Sequence, residues 1–224
     1  MIEVENIFKE YSISKNKVSA LKDINFKIED GEFVGILGSS GSGKTTLSNI
    51  IAGLLAPSSG SVKINGVSLW DLKDKEISEF RNKKLGFVFQ SFNLIPELNA
   101  VQNVMLPLAY SKVKYKERMV RGIEALKKVG LENRIYHKPY EMSGGQMQRV
   151  SVARAIINNP EIIIADEPTG NLDSNSADTI MSILNDINKT GVTILMVTHN
   201  LAYRDYFSTI INIKDGIIDN IEKK

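Results

Sequence analysis

Three short segments of this chain carry residue types suited to phosphate chemistry. Gly38-Ser39-Ser40-Gly41-Ser42-Gly43-Lys44-Thr45 follows an apolar run at residues 32–37. Glycines at that spacing let successive backbone N–H groups turn inward on a polyphosphate, and a helix beginning at Lys44 adds the positive end of its dipole. Lys44 then reaches the β- and γ-phosphates, and the Thr45 hydroxyl takes a coordination position on Mg2+. The residues from Ser39 through Thr46 are the candidate nucleotide contacts; a glycine-rich turn before an ordinary helix is the plain alternative. The second segment, Ile162-Ile163-Ile164-Ala165, ends in Asp166-Glu167. An apolar run of this kind suits a parallel strand buried on both faces, and ligands gather at the carboxyl ends of such strands. Asp166 is placed to hold Mg2+ through water beside Thr45. Glu167, one residue on, can polarise the water that attacks a γ-phosphate. The third segment, Ser143-Gly144-Gly145-Gln146, precedes helical periodicity, so Ser143 and the glycine amides form an anion-binding helix start.

Two single residues join this set. His199 closes an apolar strand and can hydrogen-bond a γ-phosphate oxygen, although a lone histidine there also serves a structural role. Gln90 ends another strand, where its amide can reach both the metal and the attacking water; a simple polar strand end is the alternative.

The elements that must position these residues follow from periodicity. Residues 2–8 and 18–28 read as strands around a polar turn, the second alternating over Leu21, Ile24, Phe26 and Ile28. A strand over 32–37 enters the glycine-rich loop, a helix runs over 44–54, and strands follow at 61–65 and 85–89. Helical periodicity governs residues 99–158, including a helix over 114–129 stopped by Gly130 and another over 146–157. Strand–helix alternation then resumes, with strands at 162–165 and 192–197 around a helix over 174–189. The tail, 209–218, reads as a hairpin turning at Asp215-Gly216. The fold class is α/β: a P-loop NTPase core with a mixed sheet, an antiparallel β subdomain and an inserted α-helical subdomain.

Bulk properties set the bounds. The chain has 224 residues, 42% hydrophobic and 24% charged, with a formal net charge of +2. That length holds one domain with a sizeable core, and near-neutrality gives no electrostatic case for nucleic acid. With no cysteine, disulfides, thiolate metal sites and thiol catalysis are excluded. The acidic start, Met1 to Asn6, lacks the apolar stretch of a signal peptide, and no apolar run approaches the roughly 20 residues of a membrane span. The cationic run Lys112, Lys114, Lys116, Arg118 and Arg121 suits either anionic lipid or a solvated helix face.

Taken in order and separation, the phosphate loop, Gln90, Ser143-Gly144-Gly145-Gln146, Asp166-Glu167, Asn171-Leu172-Asp173 and His199 resemble the nucleotide-binding domain of ABC transporters across essentially the whole of residues 1–224. The resemblance implies an ATPase core at 1–90 and 159–224 and a helical subdomain at 91–158. It implies a head-to-tail dimer of two copies that sandwiches two ATP molecules with Mg2+. Each ATP then lies between the phosphate loop of one copy and Ser143, Gly144, Gly145 and Gln146 of the other, with Tyr11 stacked on adenine and Val18 nearby. Lys44, Gln90, Glu167 and His199 are the implied catalytic set, and Thr45, Gln90 and Asp166 the metal set. Two positions depart from the family pattern: Met142 stands where leucine is usual, and Asn200 follows His199 where an acid is frequent. Phe89-Gln90-Ser91-Phe92-Asn93-Leu94-Ile95-Pro96 and the 166–173 segment resemble the subfamily of lipoprotein release, macrolide export, antimicrobial-peptide resistance and cell division. That resemblance implies an integral membrane permease as partner and a cytoplasmic location at the inner face of the membrane; Phe92, Leu94 and Ile95 are the candidate docking contacts, with packing under the helical insertion as the alternative. A soluble ABC ATPase that moves no solute is the competing class; a small-metabolite kinase is a third and leaves 143–146 and His199 without a purpose.

Overall fold

A computed structural model describes residues 1–13 and 16–224. Its strands, in chain order, are β1 (Ile2–Ile13), β2 (Asn16–Ile28), β3 (Phe33–Leu37), β4 (Ser59–Ile64), β5 (Val67–Ser68), β6 (Leu85–Phe89), β7 (Ile162–Asp166), β8 (Thr193–Thr198), β9 (Thr209–Lys214) and β10 (Ile217–Lys223). The α-helices are α1 (Lys44–Ile51), α2 (Asp74–Lys84), α3 (Ala100–Tyr110), α4 (Tyr115–Lys128), α5 (Gly144–Ile156) and α6 (Ser174–Lys189). The chain forms two compact units, residues 1–81 with 188–224, and residues 82–187.

The first unit contains an antiparallel sheet of order β2-β1-β4-β5 and the strand set β10-β9-β3-β8, in which β3 runs parallel to both β8 and β9. The polar turn expected between the first two strands falls at residues 14–15, outside the described residues. The strand flanking it begins earlier than expected, because β2 pairs with β1 beyond the apolar alternation. Leu21 and Ile24 are both fully buried although three residues apart. Asp23 sits between them at φ 53, its carboxylate accepting from Asn6 and Asn25, and this bulge resets the two-residue period. β3 and β8 are buried along their whole length, as apolar parallel strands covered on both faces must be. β9 and β10 pair antiparallel across Asp215 and Gly216, at φ 50 and 79, a primed two-residue turn of the kind this dipeptide favours.

Helix boundaries differ from the sequence reading most at α1, while α5 starts at Gly144, two residues before the expected 146. α1 ends at Ile51 rather than near residue 54. Gly53, at φ 65, donates to the Ile50 carbonyl at 3.1 Å, and Leu54 donates to Asn49 at 2.9 Å. This pair of bonds closes the helix from a left-handed glycine, so the apolar residues beyond it belong to the cap.

The second unit pairs β6 with β7 in parallel and places α3, α4 and α5 between them along the chain. Gly130, at φ 68, ends α4 as its position in the periodicity requires. α3 starts from Asn99, whose side chain accepts from the Gln102 amide while Gln102 bonds back to the Asn99 amide. α6 starts after Asp173, whose carboxylate accepts from the Ser176 amide at 2.9 Å and from the Ser176 hydroxyl at 2.7 Å. Those bonds hold the Asp173 carboxyl below its ordinary pKa. Among the described residues no helix is long and apolar enough to cross a membrane.

Candidate functional site

In the first unit, Leu37 of β3 and Thr198 of β8 are register partners. The residues that follow them, Gly38 and His199, therefore leave the sheet at neighbouring carboxyl ends. From Gly38 the chain coils through a loop with exposed Ser39, Ser40 and Gly41 and buried Ser42. Lys44 is only 7% exposed, and its ammonium donates to the Ser39 carbonyl at 2.7 Å, folding the side chain back along the loop. Gly43 enters α1 at φ 104, and α1 has neither a side-chain cap nor an acid in its first turn. A methyl group on Gly43 would lie 2.6 Å from the Ala20 carbonyl oxygen, so β2 itself forbids a side chain there. Gly41, at φ 78, has open space where its side chain would be. The Ser42 hydroxyl is buried with no hydrogen-bond partner. An uncapped helix start, a left-handed glycine, an orphaned hydroxyl and a buried ammonium on one loop fit an anionic polyphosphate.

The predicted adenine contacts are brought together on the same unit. Tyr11 and Val18 are direct partners across β1 and β2, 38% and 48% exposed. The Lys9 ammonium stands 5.4 Å from the Tyr11 ring centroid. Two residues beyond Val18, β2 reaches Ala20, whose carbonyl faces Gly43, so the strand bearing Val18 runs straight to the phosphate loop. Asn200, where an acid was expected, accepts from the Ala202 amide at 3.0 Å and caps a short 3-10 helix, Leu201–Tyr206.

The second unit repeats the strand-end arrangement. Phe89 of β6 and Asp166 of β7 are register partners, and Gln90 and Glu167 follow them. Glu167 adopts φ 47, a left-handed conformation unfavourable for a glutamate and tolerated where the surroundings over-determine it. The Gly170 amide closes this turn onto the Glu167 carbonyl at 3.0 Å. Gln90 packs on the same turn: Asn171 donates its side-chain amide to the Gln90 carbonyl at 3.1 Å, and the Gln90 amide lies 3.5 Å from the Asn171 side-chain oxygen.

Ser143 begins α5 with its hydroxyl accepting from the Gln146 amide at 3.3 Å, while the Gln146 side chain accepts from the Ser143 amide at 3.0 Å. The two polar side chains of the motif thus brace the helix start in a capping box. Gly145 has a packing role that spacing did not reveal: a methyl group on it would lie 2.5 Å from the Ser176 hydroxyl. Met142 is buried, filling the apolar place of the usual leucine.

Sequence reasoning missed the side chains that hold these segments together. Buried Gln148, on α5, donates its amide to the Phe89 carbonyl at 3.2 Å and the Pro168 carbonyl at 2.5 Å. Arg154, further along α5, donates to the carbonyls of Asn93 at 2.5 Å and Phe92 at 2.8 Å, residues at φ 48 and 60. Burial pulls its guanidinium below the ordinary pKa. Fully buried Asn103 pins the Ile95 amide and the Ile95 and Leu98 carbonyls. Polar residues on amphipathic helices give no periodic signal that separates these roles from solvation. The cationic run divides similarly. Lys112, Lys114 and Lys116 are exposed, whereas Arg118 lies over the Tyr115 ring and Arg121 donates to the Ile157 carbonyl at 2.7 Å.

The family model described as ABC transporter matches residues 21–170. The chain belongs to the ABC transporter family. It is 47% identical, over 97% of its length and 95% of the relative's, to the uncharacterized ABC transporter ATP-binding protein YknY of Bacillus subtilis. It is 46% identical to the macrolide export ATP-binding/permease protein MacB of Bdellovibrio bacteriovorus, matching 100% of this chain and 34% of that one. The dimeric structure of a post-hydrolysis state of the ATP-binding cassette MJ0796, bound to ADP and Pi, superposes with a TM-score of 0.93 at 44% identity, covering 100% of this chain and 98% of that one. The ABC fold accounts for the mixed strand set, the four-stranded antiparallel sheet and the helices described above.

Proposed function

We propose that this ATP-binding subunit of an ABC transporter hydrolyses ATP as one of two identical copies joined head to tail, and drives a separate membrane permease. The phosphate loop carries the reading: buried Lys44 curls onto Ser39 while left-handed Gly43 delivers the chain into an uncapped helix. Ser39 through Thr46 bind the phosphates, Lys44 neutralises charge on the β- and γ-groups, and Tyr11 with Val18 receives the adenine ring. Thr45, Gln90 and Asp166 are the residues that would hold magnesium, which when bound offsets charge on the transferred phosphoryl. Glu167 takes the proton from the attacking water as the bond between the γ-phosphorus and ADP breaks, and His199 donates to a γ-phosphate oxygen. Ser143, Gly144, Gly145 and Gln146 of the opposite copy complete the phosphate's surroundings. The dimeric MJ0796 cassette supports the pairing.

Residues 91–158 act as the helical subdomain that relays nucleotide state, and residues 1–90 with 159–224 as the ATPase core. Phe92, Leu94 and exposed Ile95 receive the permease. Identity to MacB, whose name joins an ATP-binding part to a permease, supports a partner of the macrolide-export or lipoprotein-release kind and a location at the inner face of the membrane. Glu167→Gln tests the catalytic half of the reading. Turnover falls by about 10^2–10^4-fold, the usual contribution of a general base, while added ATP drives the variant into a stable dimer on a sizing column. Wild-type turnover in the variant contradicts the role of Glu167.

A further inference from the structure

We propose that Gln148 is a positioning residue that makes hydrolysis at one ATP depend on capture of the other, so that the two sites of a dimer fire cooperatively. The inference rests on the proposed roles of Glu167 and Ser143 and goes beyond them. Gln148 lies on α5, whose first residues follow Ser143, and is wholly buried. Its side-chain amide donates to two carbonyls at the ends of paired β6 and β7: Phe89, immediately before Gln90, and Pro168, immediately after Glu167. The same helix start bears on the segment after Glu167: a methyl group on Gly145 would meet the Ser176 hydroxyl at 2.5 Å, and one on Gly144 would lie 3.6 Å from Leu172. A shift of α5 when Ser143 engages the partner's phosphate therefore reaches the backbone flanking the proposed base and the proposed water-orienting glutamine through one rigid amide. Each copy's helix tip serves the partner's nucleotide while its Glu167 serves its own. The Gln148 amide is thus the link by which occupancy of one site sets the geometry of the other.

The strained Glu167 conformation sharpens the point. A non-glycine residue at φ 47 persists only while its neighbours enforce it. Two bonds hold the turn at this point: the Gly170 amide on the Glu167 carbonyl at 3.0 Å, and the Gln148 amide on the adjacent Pro168 carbonyl at 2.5 Å. Loss of the Gln148 bond removes the tie between this turn and α5 without touching the phosphate loop.

The test compares Gln148→Met and Gln148→Glu with wild type in steady-state ATPase titrations. Methionine keeps the volume and removes both donors. Glutamate keeps the shape and donates only when protonated, which burial against two carbonyls favours by raising its pKa. In wild type the Hill coefficient approaches about two, the number of sites in the dimer. In Gln148→Met it falls toward one and kcat drops about tenfold, with nucleotide affinity of the monomer unchanged within about twofold. Gln148→Glu regains cooperativity as pH falls, and Gln148→Met does not. Should Gln148→Met fail to fold in a thermal melt, the pH response of Gln148→Glu decides alone. Wild-type cooperativity in Gln148→Met, or a Gln148→Glu response that matches wild type at every pH, overturns the proposal. Glu167→Gln run alongside separates the two readings. If it still turns over, the assignment of the base fails; if it is inactive while Gln148→Met behaves as wild type, only the coupling role fails.

Discussion

The two units solve one problem with different materials. In the first, Gly38 and His199 leave the ends of paired β3 and β8, and the loop between strand and helix is shaped by backbone: a left-handed Gly43 pressed on Ala20 and a lysine curled onto its own loop. In the second, Gln90 and Glu167 leave the ends of paired β6 and β7, but side chains hold the loops, with Gln148, Asn171 and Arg154 donating to carbonyls from outside. A backbone-built cradle presents the same amides whatever its neighbours do. A side-chain-built one changes shape when the helix carrying those side chains moves. The first arrangement suits a fixed grip on phosphate, the second a site whose geometry must respond.

Substitutions can break this contrast. The largest loss of stability falls at Gly43→Ala, where the added methyl meets the Ala20 carbonyl at 2.6 Å with no flexible atom to yield. The cost is about 3 kcal/mol, combining strain at positive φ with the clash. At about 2–4 °C per kcal/mol for a chain of this size, a melt should show a drop of about 6–12 °C. Next comes Arg154→Met, which leaves the Phe92 and Asn93 carbonyls without their donor and costs about 2 kcal/mol. Amide hydrogen exchange should quicken in the segment after Gln90 and stay unchanged in the phosphate loop. Gly41→Ala is a sharper control on the first unit. It shares positive φ with Gly43 but has open space around it, so the cost is about 1 kcal/mol of conformational strain. If Gly41→Ala proved as damaging as Gly43→Ala, the close approach to β2 would not be what shapes the loop.

The smallest effect is confined to acid. Asp173 has its folded pKa lowered below 3.8, chiefly by the backbone bond from Ser176 and then by that residue's hydroxyl. A depressed carboxyl contributes stability that is present above 3.8 and lost as pH falls below it. Asp173→Asn should therefore flatten the acid limb of a stability-against-pH curve below about pH 4 and leave its shape near neutrality unchanged. Urea titrations at several pH values check this.

Much of this architecture could be read from residue types because backbone-driven features have sequence signatures. The glycine spacing before Lys44 announces the loop, Asp215-Gly216 the hairpin, Gly130 the helix end, and the apolar runs the buried strands. α2 escaped notice because Ile77 is its one buried residue, too little for a periodic signal. The side-chain clamps escaped for a different reason. Gln148, Arg154 and Asn103 look like ordinary solvated positions of their helices until the carbonyls they reach, up to 62 positions away, are known. Gly145 was legible as an amide donor, but its contact with Ser176 depends on where α6 begins.

The central claim is that one terminal phosphate is held by Lys44 of one copy and by the Ser143 helix tip of its twin. Sedimentation velocity of Glu167→Gln with ATP, alone and combined with Ser143→Arg, tests it most directly. The account predicts a dimer for the single variant, and for the double variant a monomer that still binds nucleotide through its intact phosphate loop. A double variant that dimerises with ATP as readily as the single one would contradict it.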